Sequence, residues 1–428
     1  MKVLMMAYAC EPERGSEPGV GWGWAYSLPR HVDLTLVTRA NNREVIEEWY
    51  ARNDPDGMIQ RPEFLYHDPP AWLIRLKKRG WLPVQFFFAI WIWGAVRRVR
   101  PRFGEFDVLH HGTYSAISLP GLFWTDELPV VIGPVGGTAI VRDDYLELYG
   151  DREWKERLRA FIIRHWKWCP WIRRSFGHAK LILCANTEAR DMIEPEYPGR
   201  THVMTEIGAH RADVVAEVSE VKQPGLLNLV WIGQVEPWKA WSITLRALAQ
   251  AVQQLEPGER IQLTMLGRGR QERDAESLAR ELELGDHIRF LRRIPLEELQ
   301  MLISNADAMV FSSVKDTSGT VLLEAMSKGK PLICIRHQGA GDITTDECAI
   351  RVESGTMEET IKGFANAMLR MLREPGLATR MGVESRKRVL TDYVWDVKAE
   401  RLAGFYQNLV DEHAALARQS RVERRESK

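Results

Sequence analysis

The sequence predicts a two-domain α/β protein in which each domain carries a parallel β-sheet covered by helices on both faces. Three observations lead there. The chain has 428 residues, enough for two domains at the upper end of the usual ~50–200 residues. Short apolar runs closed by turn residues alternate with segments of helical period, as strands joined by crossover helices require. The alternation is interrupted by one polar stretch ending in Pro-Gly, VSEVKQPG at 218–225, and then restarts.

The first series of strands reads KVLMMAYA from Lys2, VDLTLVT from Val32, EFLYH from Glu63, FDVLHH from Phe106, LPVVIG from Leu128 and AKLILCA from Ala179. The second reads LNLVWIG from Leu227, IQLTMLG from Ile261, IRFL from Ile288, ADAMVF from Ala306 and PLICI from Pro331, with helices expected from about Ser242, from Arg270 and within TSGTVLLEAMSK. From Met357 the pattern is almost wholly helical. The last helix carries apolar or aromatic residues at 394, 395, 397, 402, 405, 406, 409 and 410, suited to packing across a domain boundary, and the charged RQSRVERRESK after it is expected to fray. The expected domains are 1–217, 218–392 and a terminal helix with tail at 393–428.

Composition excludes several classes of function. Basic and acidic residues number 58 each, so the whole molecule is not built to coat nucleic acid. Five scattered cysteines without CxxC spacing argue against a disulfide scaffold or a zinc site and fit a reducing cytoplasm. The opening MKVLMMAYAC has too short an apolar run, and no small-residue cleavage site, for a signal peptide.

In open parallel sheets ligands sit at the carboxyl ends of the strands, so the loops after the strands matter most. After the first strand, CEPERGSEPGVGWGWA places Gly15, Ser16, Gly19 and Gly21 ahead of a helix, where a backbone can approach a phosphate or a sugar or simply turn. A dinucleotide fingerprint starting at Gly19 fails because Trp24 stands where the last glycine belongs. Asp54 and Asp56 in NDPDG are read as a turn rather than a metal site. HHGTYS ends the fourth strand with His110 and His111 on opposite faces, one inward and His111 toward the crevice, with a structural histidine as the competing reading. GPVGGT opens the backbone at Gly136. In the second series Lys239 follows WIGQVEPW near a helix start, able to meet a diphosphate or to lie solvated on the surface, and MLGRGR supplies Gly267. SSVKDTSGTVLLEAMSK sets Glu324 in an apolar run, where it could also pair with Lys328 at helical spacing.

Taken together, ACEPERGSEPGVGW, VLHHGTY, VVIGPVGGT, WIGQVEPWK, MLGRGR and FSSVKDTSGTVLLEAMSKGKPLI resemble the GT4-type retaining glycosyltransferases (glycosyl transferases group 1). The resemblance implies the GT-B architecture: two Rossmann-like domains with parallel sheets facing a central cleft, and a C-terminal helix crossing back to the N-terminal domain. It implies that Glu324 holds the ribose of a nucleotide and Asp316 contacts the donor sugar. The amides of Gly319, Thr320 and Val321 would receive the diphosphate with Lys239, and the backbone of Ile294 would meet the base. Family members commonly have arginine where Gln234 stands and glutamate where Asp316 stands, and a histidine many relatives carry after the fifth strand is replaced by GPVGG, leaving His111 as the nearest candidate. The implied activity is transfer of a sugar from a nucleotide diphosphate sugar to a lipid-linked or glycan acceptor with retention, in cell-envelope or exopolysaccharide synthesis, with no metal or other cofactor demanded. The alternative is a noncatalytic nucleotide-sugar-binding or scaffold protein.

Residues 71–104 contain eight lysines or arginines, no acid, and Trp72, Trp81, Trp91 and Trp93. The apolar part is shorter than the ~20 residues a spanning helix needs. Together with RHWKWCPWIRR at 164–174 it suits an anionic membrane surface on the cytoplasmic side, or else a buried helix with solvated ends.

Overall fold

The computed structural model describes residues 1–218 and 225–426, so most of the polar stretch at 218–225 and the end of the charged tail lie outside the described residues. The chain divides into two units, one of Met1–Thr138, Ile163–Gly208 and Trp395–Lys428, the other of Ala139–Ile162 and Ala209–Val394.

The first unit holds a seven-stranded sheet of β1 (Lys2–Met6), β2 (Asp33–Thr38), β3 (Glu63–Tyr66), β4 (Val108–His111), β5 (Val130–Val135), β6 (Ala179–Cys184) and β7 (Thr201–Val203), in the order β3-β2-β1-β4-β5-β6-β7. Every pairing is parallel. Met6 is level with Val37 and with His111, so the chain leaves β1, β2 and β4 on one edge. The strands are short and almost wholly apolar because both faces are covered. One face packs Leu4, Met6, Leu109 and Ile132 against Phe87, Phe88, Trp91 and Ile92 of the helix Val84–Val99. The terminal helix Trp395–Glu426 belongs to this unit, as a crossing helix should. Trp395 lies against Trp24 with ring centres 4.9 Å apart, and a Cβ on Gly23 would come within 2.1 Å of the Trp395 ring. The charged end does not fray within the described residues, where the helix runs to Glu426.

The second unit holds a six-stranded parallel sheet of β8 (Leu226–Ile232), β9 (Arg260–Leu266), β10 (Ile288–Leu291), β11 (Ala308–Phe311), β12 (Leu332–Ile335) and β13 (Ala349–Val352), in the order β10-β9-β8-β11-β12-β13. Strand order reverses between β1 and β4 in the first sheet and between β8 and β11 in the second. Such reversals splay the flanking crossovers apart and leave open ground at the strand ends.

The contact division departs from the boundary expected at 217/218. It falls at 208/209, and Ala139–Ile162 joins the second unit. The reason is aromatic packing: Tyr145, Leu146 and Tyr149 are buried in the same core as Trp231, Val235 and Phe364, and Tyr145 Oη is 2.8 Å from Thr360 Oγ1.

Candidate functional site

Residues 233–240 leave β8 and residues 312–319 leave β11, the two strands flanking the reversal of the second sheet. Hydrogen bonds stitch the two loops together. Val314 N–H donates to Trp238 O at 2.9 Å, Ser312 Oγ to Lys239 O at 2.9 Å and Ser313 Oγ to Trp238 O at 3.0 Å. Lys239 is thereby delivered to Asp316, and its Nζ donates to Asp316 Oδ2. The two side chains are only 16% and 23% exposed, so water screens the pair less than it would on an open surface. The same Nζ lies 5.1 Å from the centre of the Phe311 ring, close enough for a cation–π contribution. The amide of Asp316 donates to Gln338 Oε1 at 2.7 Å, which brings in the start of the helix Gln338–Ile343 that follows β12.

Gly319 caps the helix Thr320–Ser327 in a left-handed conformation, φ +80°, without a side-chain hydrogen bond to the helix start. A Cβ there would stand 2.9 Å from Phe311 Cζ. The first N–H groups of that helix have no intrahelical acceptor, and the helix dipole adds partial positive charge at Gly319, Thr320 and Val321. One turn on stands Glu324, partly buried. Burial, and next the Asp213 carboxylate, push its pKa above the usual carboxylate range. Glu324 has no hydrogen-bond or ion-pair partner among the described residues. The pairing with Lys328 is not made: Lys328 Nζ donates to the carbonyl of Asp213 at 3.4 Å.

Gly267 is needed for close approach. A Cβ there would lie 1.8 Å from Gly233 O, so the β8 and β9 loops touch backbone to backbone, and Gly267 N–H donates to Leu291 O at 2.9 Å. Gln234 is exposed, and Ile294 sits partly buried in the loop between β10 and the helix Leu296–Asn305. Lys239, Asp316, Gly319, Thr320, Val321 and Glu324 therefore lie on the two loops of the reversal and the helix that follows, while Gln234, Gly267 and Ile294 occupy loops of the same sheet edge.

Several supporting residues escaped the sequence reading. Glu236 takes Arg270 on both oxygens, at 2.8 and 3.0 Å, and ties the β8 loop to the β9 loop. Lys315, next to Asp316, donates to Glu156 Oε2 at 2.7 Å, and Glu156 also receives Arg159 at 2.9 Å. Gly339, next to Gln338, has no room for a side chain, since a Cβ there would come within 2.3 Å of Thr317 O.

In the first unit Gly15 is the N-cap of the helix Ser16–Ser27, and Ser16 adopts φ +59°. Gly19 and Gly21 serve close packing, since added Cβ atoms would lie 2.2 Å from Arg14 O and 1.9 Å from Ala9 O. Gly136 exchanges backbone hydrogen bonds with Ser115 and Ile117 at 2.8 and 3.0 Å. Asp54 caps its own turn, accepting from Met58 N–H at 2.7 Å. The expectation that His111 clears the sheet is corrected: both histidines are buried, His110 at 0% and His111 at 1% exposure. His110 bonds Tyr406 Oη and Gly133 O at 2.5 and 2.7 Å. His111 is enclosed by Phe88 and Gly121, and burial first, then His110, push its pKa down to about 3. Neither of its ring nitrogens has a hydrogen-bond partner. Among the described residues no three His, Cys, Asp or Glu side chains gather into a metal-binding group.

Residues 219–388 match the family described as glycosyl transferases group 1. Glycogen synthase of Mycobacterium tuberculosis is 28% identical over 231 residues, 53% of either chain. A GDP-mannose-dependent alpha-(1-6)-phosphatidylinositol monomannoside mannosyltransferase of Mycolicibacterium smegmatis is 28% identical over 184 residues, 41% of this chain and 46% of the relative. The chain spans about half the length of the curated relatives it matches. Among solved structures, sucrose-phosphate synthase from Thermosynechococcus elongatus superposes with a TM-score of 0.61 at 16% identity, over 96% of this chain and 99% of that one. The Anabaena protein HepE in complex with UDP and glucose gives 0.59 at 14%, over 95% and 100%. At such identities the likeness speaks for the fold, which is GT-B. The match to the glycosyl transferases group 1 family covers residues 219–388, within the second unit.

Proposed function

We propose that the protein transfers a sugar from a nucleoside diphosphate sugar to a lipid-linked or glycan acceptor with retention at the anomeric carbon. The observation that carries the reading is the convergence, at one strand-order reversal, of the Lys239–Asp316 pair, a helix start lacking a side-chain cap and the unpartnered carboxylate of Glu324. Each group answers one part of such a donor. Glu324 accepts hydrogen bonds from ribose hydroxyls. Lys239 and the amides of Gly319, Thr320 and Val321 face the diphosphate and stabilise the charge that develops as it leaves. Asp316 is positioned for the donor sugar. A cation and oriented amides already meet the leaving group, so the reading requires no metal. Retention rests on the family resemblance, as does a place in cell-envelope or exopolysaccharide synthesis.

We also infer a peripheral position on an anionic membrane at its cytoplasmic face. The helices Ala71–Lys78 and Val84–Val99 and the turn between them expose Trp72, Trp81, Phe86 and Trp93, at 58%, 74%, 65% and 56%, beside exposed Lys78, Arg79, Arg97 and Arg98. Trp168 and Trp171 add exposed rings near Arg173 and Arg174. Among the described residues no helix is long and apolar enough to cross a membrane.

The test is a thermal-shift screen against uridine, guanosine and adenosine diphosphates and their sugars, followed by a search for nucleoside diphosphate release with lipid and glycan acceptors. UDP in the HepE structure and GDP-mannose in the name of the mycobacterial relative put uridine and guanosine first. One stabilising nucleotide and its release on transfer are expected. Binding without release over a broad panel would favour the noncatalytic reading, for which the exposed Gln234 and the short Asp316 are the motive; absence of any nucleotide binding would overturn both.

A further inference from the structure

In the first unit β3, β2 and β1 are neighbours, with Thr38 level with Tyr66 and Met6 level with Val37. The residues just past these ends are Asp68, Arg39 and Tyr8, and the helix Ala71–Lys78 adds Lys77. Two cations converge there on two rings. The Arg39 guanidinium lies 5.3 Å from the Tyr8 ring centre and 5.8 Å from that of Phe87. Lys77 Nζ lies 4.5 Å from the Phe87 ring centre and donates to Tyr8 Oη at 3.0 Å. A single carboxylate stands by them: Asp68 Oδ1 is 3.5 Å from Arg39 Nε, and each side chain is 18% exposed. No hydrogen bond joins that pair, and both atoms are buried without a hydrogen-bond partner.

Two partly desolvated cations held against the same rings, with one imperfectly placed counterion, leave an uncompensated positive charge at a strand edge where ligands bind. An Arg fork beside a Lys point charge suits a tetrahedral dianion, which can take two parallel bonds from the guanidinium and a third from the ammonium. Tyr8 and Tyr114, packed edge to face with ring centres 5.0 Å apart, supply aromatic surface beside it. We propose that Arg39 and Lys77 form an anion subsite that takes a phosphate group carried by the acceptor. The proposal rests on the glycosyltransferase reading for the word acceptor, but the subsite itself is testable without it.

The full chain is titrated calorimetrically with inorganic phosphate, and in parallel with the nucleoside diphosphate identified in the screen. Arg39→Gln and Lys77→Gln should each weaken phosphate binding by about tenfold or more, the worth of one charge-assisted hydrogen bond, and leave nucleoside diphosphate affinity unchanged. Asp68→Asn removes the competing carboxylate and should tighten phosphate binding, a direction that damage to the fold does not produce. Glucose 6-phosphate and dihexanoyl phosphatidic acid, both phosphate monoesters able to carry two negative charges, are then used as competitors. Displacement of phosphate by the first assigns the subsite to a glycan phosphate, and by the second to a lipid phosphate. Phosphate binding that is absent in the wild type, equal in all variants or displaced by neither competitor overturns the proposal. Loss of nucleoside diphosphate binding in the wild type instead overturns the glycosyl-transfer reading.

Discussion

Replacing Glu324 by glutamine should weaken nucleoside diphosphate binding and stabilise the ligand-free protein at the same time. The two signs follow from the same geometry. Burial and the Asp213 carboxylate raise the Glu324 pKa, and among the described residues no donor compensates its charge. In the unfolded chain that carboxyl ionises near ~4.3, whereas the folded chain holds its proton to higher pH. Its contribution to stability is therefore fully present below the unfolded pKa and is lost as pH rises through the folded value. Wherever that carboxyl is ionised in the folded chain its charge is a net cost, and glutamine removes it. Relief of about 1 kcal/mol, the low end for an unpaired and partly desolvated polar group, corresponds to a Tm rise of about 2–4 °C for a unit of this size. On the proposed reading the same carboxylate accepts ribose hydroxyls in the complex, and losing charge-assisted bonds worth about 2–3 kcal/mol would weaken binding about 30- to 150-fold. Differential scanning fluorimetry over a pH series that starts at ~4, close to the unfolded pKa, should show the stability gain growing with pH. Calorimetric titration gives the affinity. Unchanged affinity would refute the ribose assignment, and a lower Tm accompanying weaker binding would show that Glu324 serves the fold.

Lys239→Ala should weaken nucleoside diphosphate binding about 10- to 150-fold but leave binding of the bare nucleoside nearly unchanged; equal losses for both ligands would remove Lys239 from the diphosphate. Asp316→Asn frees Lys239 from its counterion, so nucleoside diphosphate affinity should rise while the rate of sugar transfer falls; affinity and rate falling together would contradict that role. Gly319→Ala forces a Cβ into a left-handed residue against Phe311 and should lower stability by about 1–2 kcal/mol or more in urea unfolding, an unchanged midpoint being the refuting result. Lys78→Glu with Arg79→Glu should release the protein from anionic vesicles in a flotation assay, with Lys77 left intact because it is turned toward Tyr8; a wild-type protein that never floats defeats the membrane reading.

The parts of this molecule legible in the sequence are those that depend on local pattern. Each sheet strand except the three-residue β7 and the four-residue β13 stood out as an apolar run, and Glu324 stood out because a charge interrupts an apolar stretch. Contacts between distant residues left no such trace. Nothing local marks Tyr145 and Tyr149 as part of the second unit's core, because their partners lie about 80 or more positions on, from Trp231 to Thr360. The same holds for Glu156, whose ion pair with Lys315 spans 159 positions. Strand alternation placed His110 and His111 on opposite faces, but in a sheet covered on both sides alternation does not distinguish buried from exposed. His111 is buried because Phe88 and the loop through Gly121 cover it.

The strongest reason to regard the β11 loop as built for a ligand lies in a contrast within the second unit. The helix Met357–Arg373 begins with a full capping box, Thr356 and Glu359 each satisfying the other's backbone at 3.2 and 2.9 Å. The helix Thr320–Ser327, on the same sheet, begins instead at a glycine with positive φ and no side-chain cap. A serine or aspartate cap there would stabilise the free protein by about 1 kcal/mol, and a neutral residue at 324 would remove an unpartnered carboxylate. Each omission is locally unfavourable, and both fall within six positions of each other, where Lys239 also meets Asp316. Unsatisfied groups scattered through the unit would read as ordinary imperfection. Uncapped donor amides and an unpartnered acceptor carboxylate, gathered with the Lys239 cation at one strand-order reversal, are complementary to a single ligand that carries phosphate and hydroxyl groups side by side.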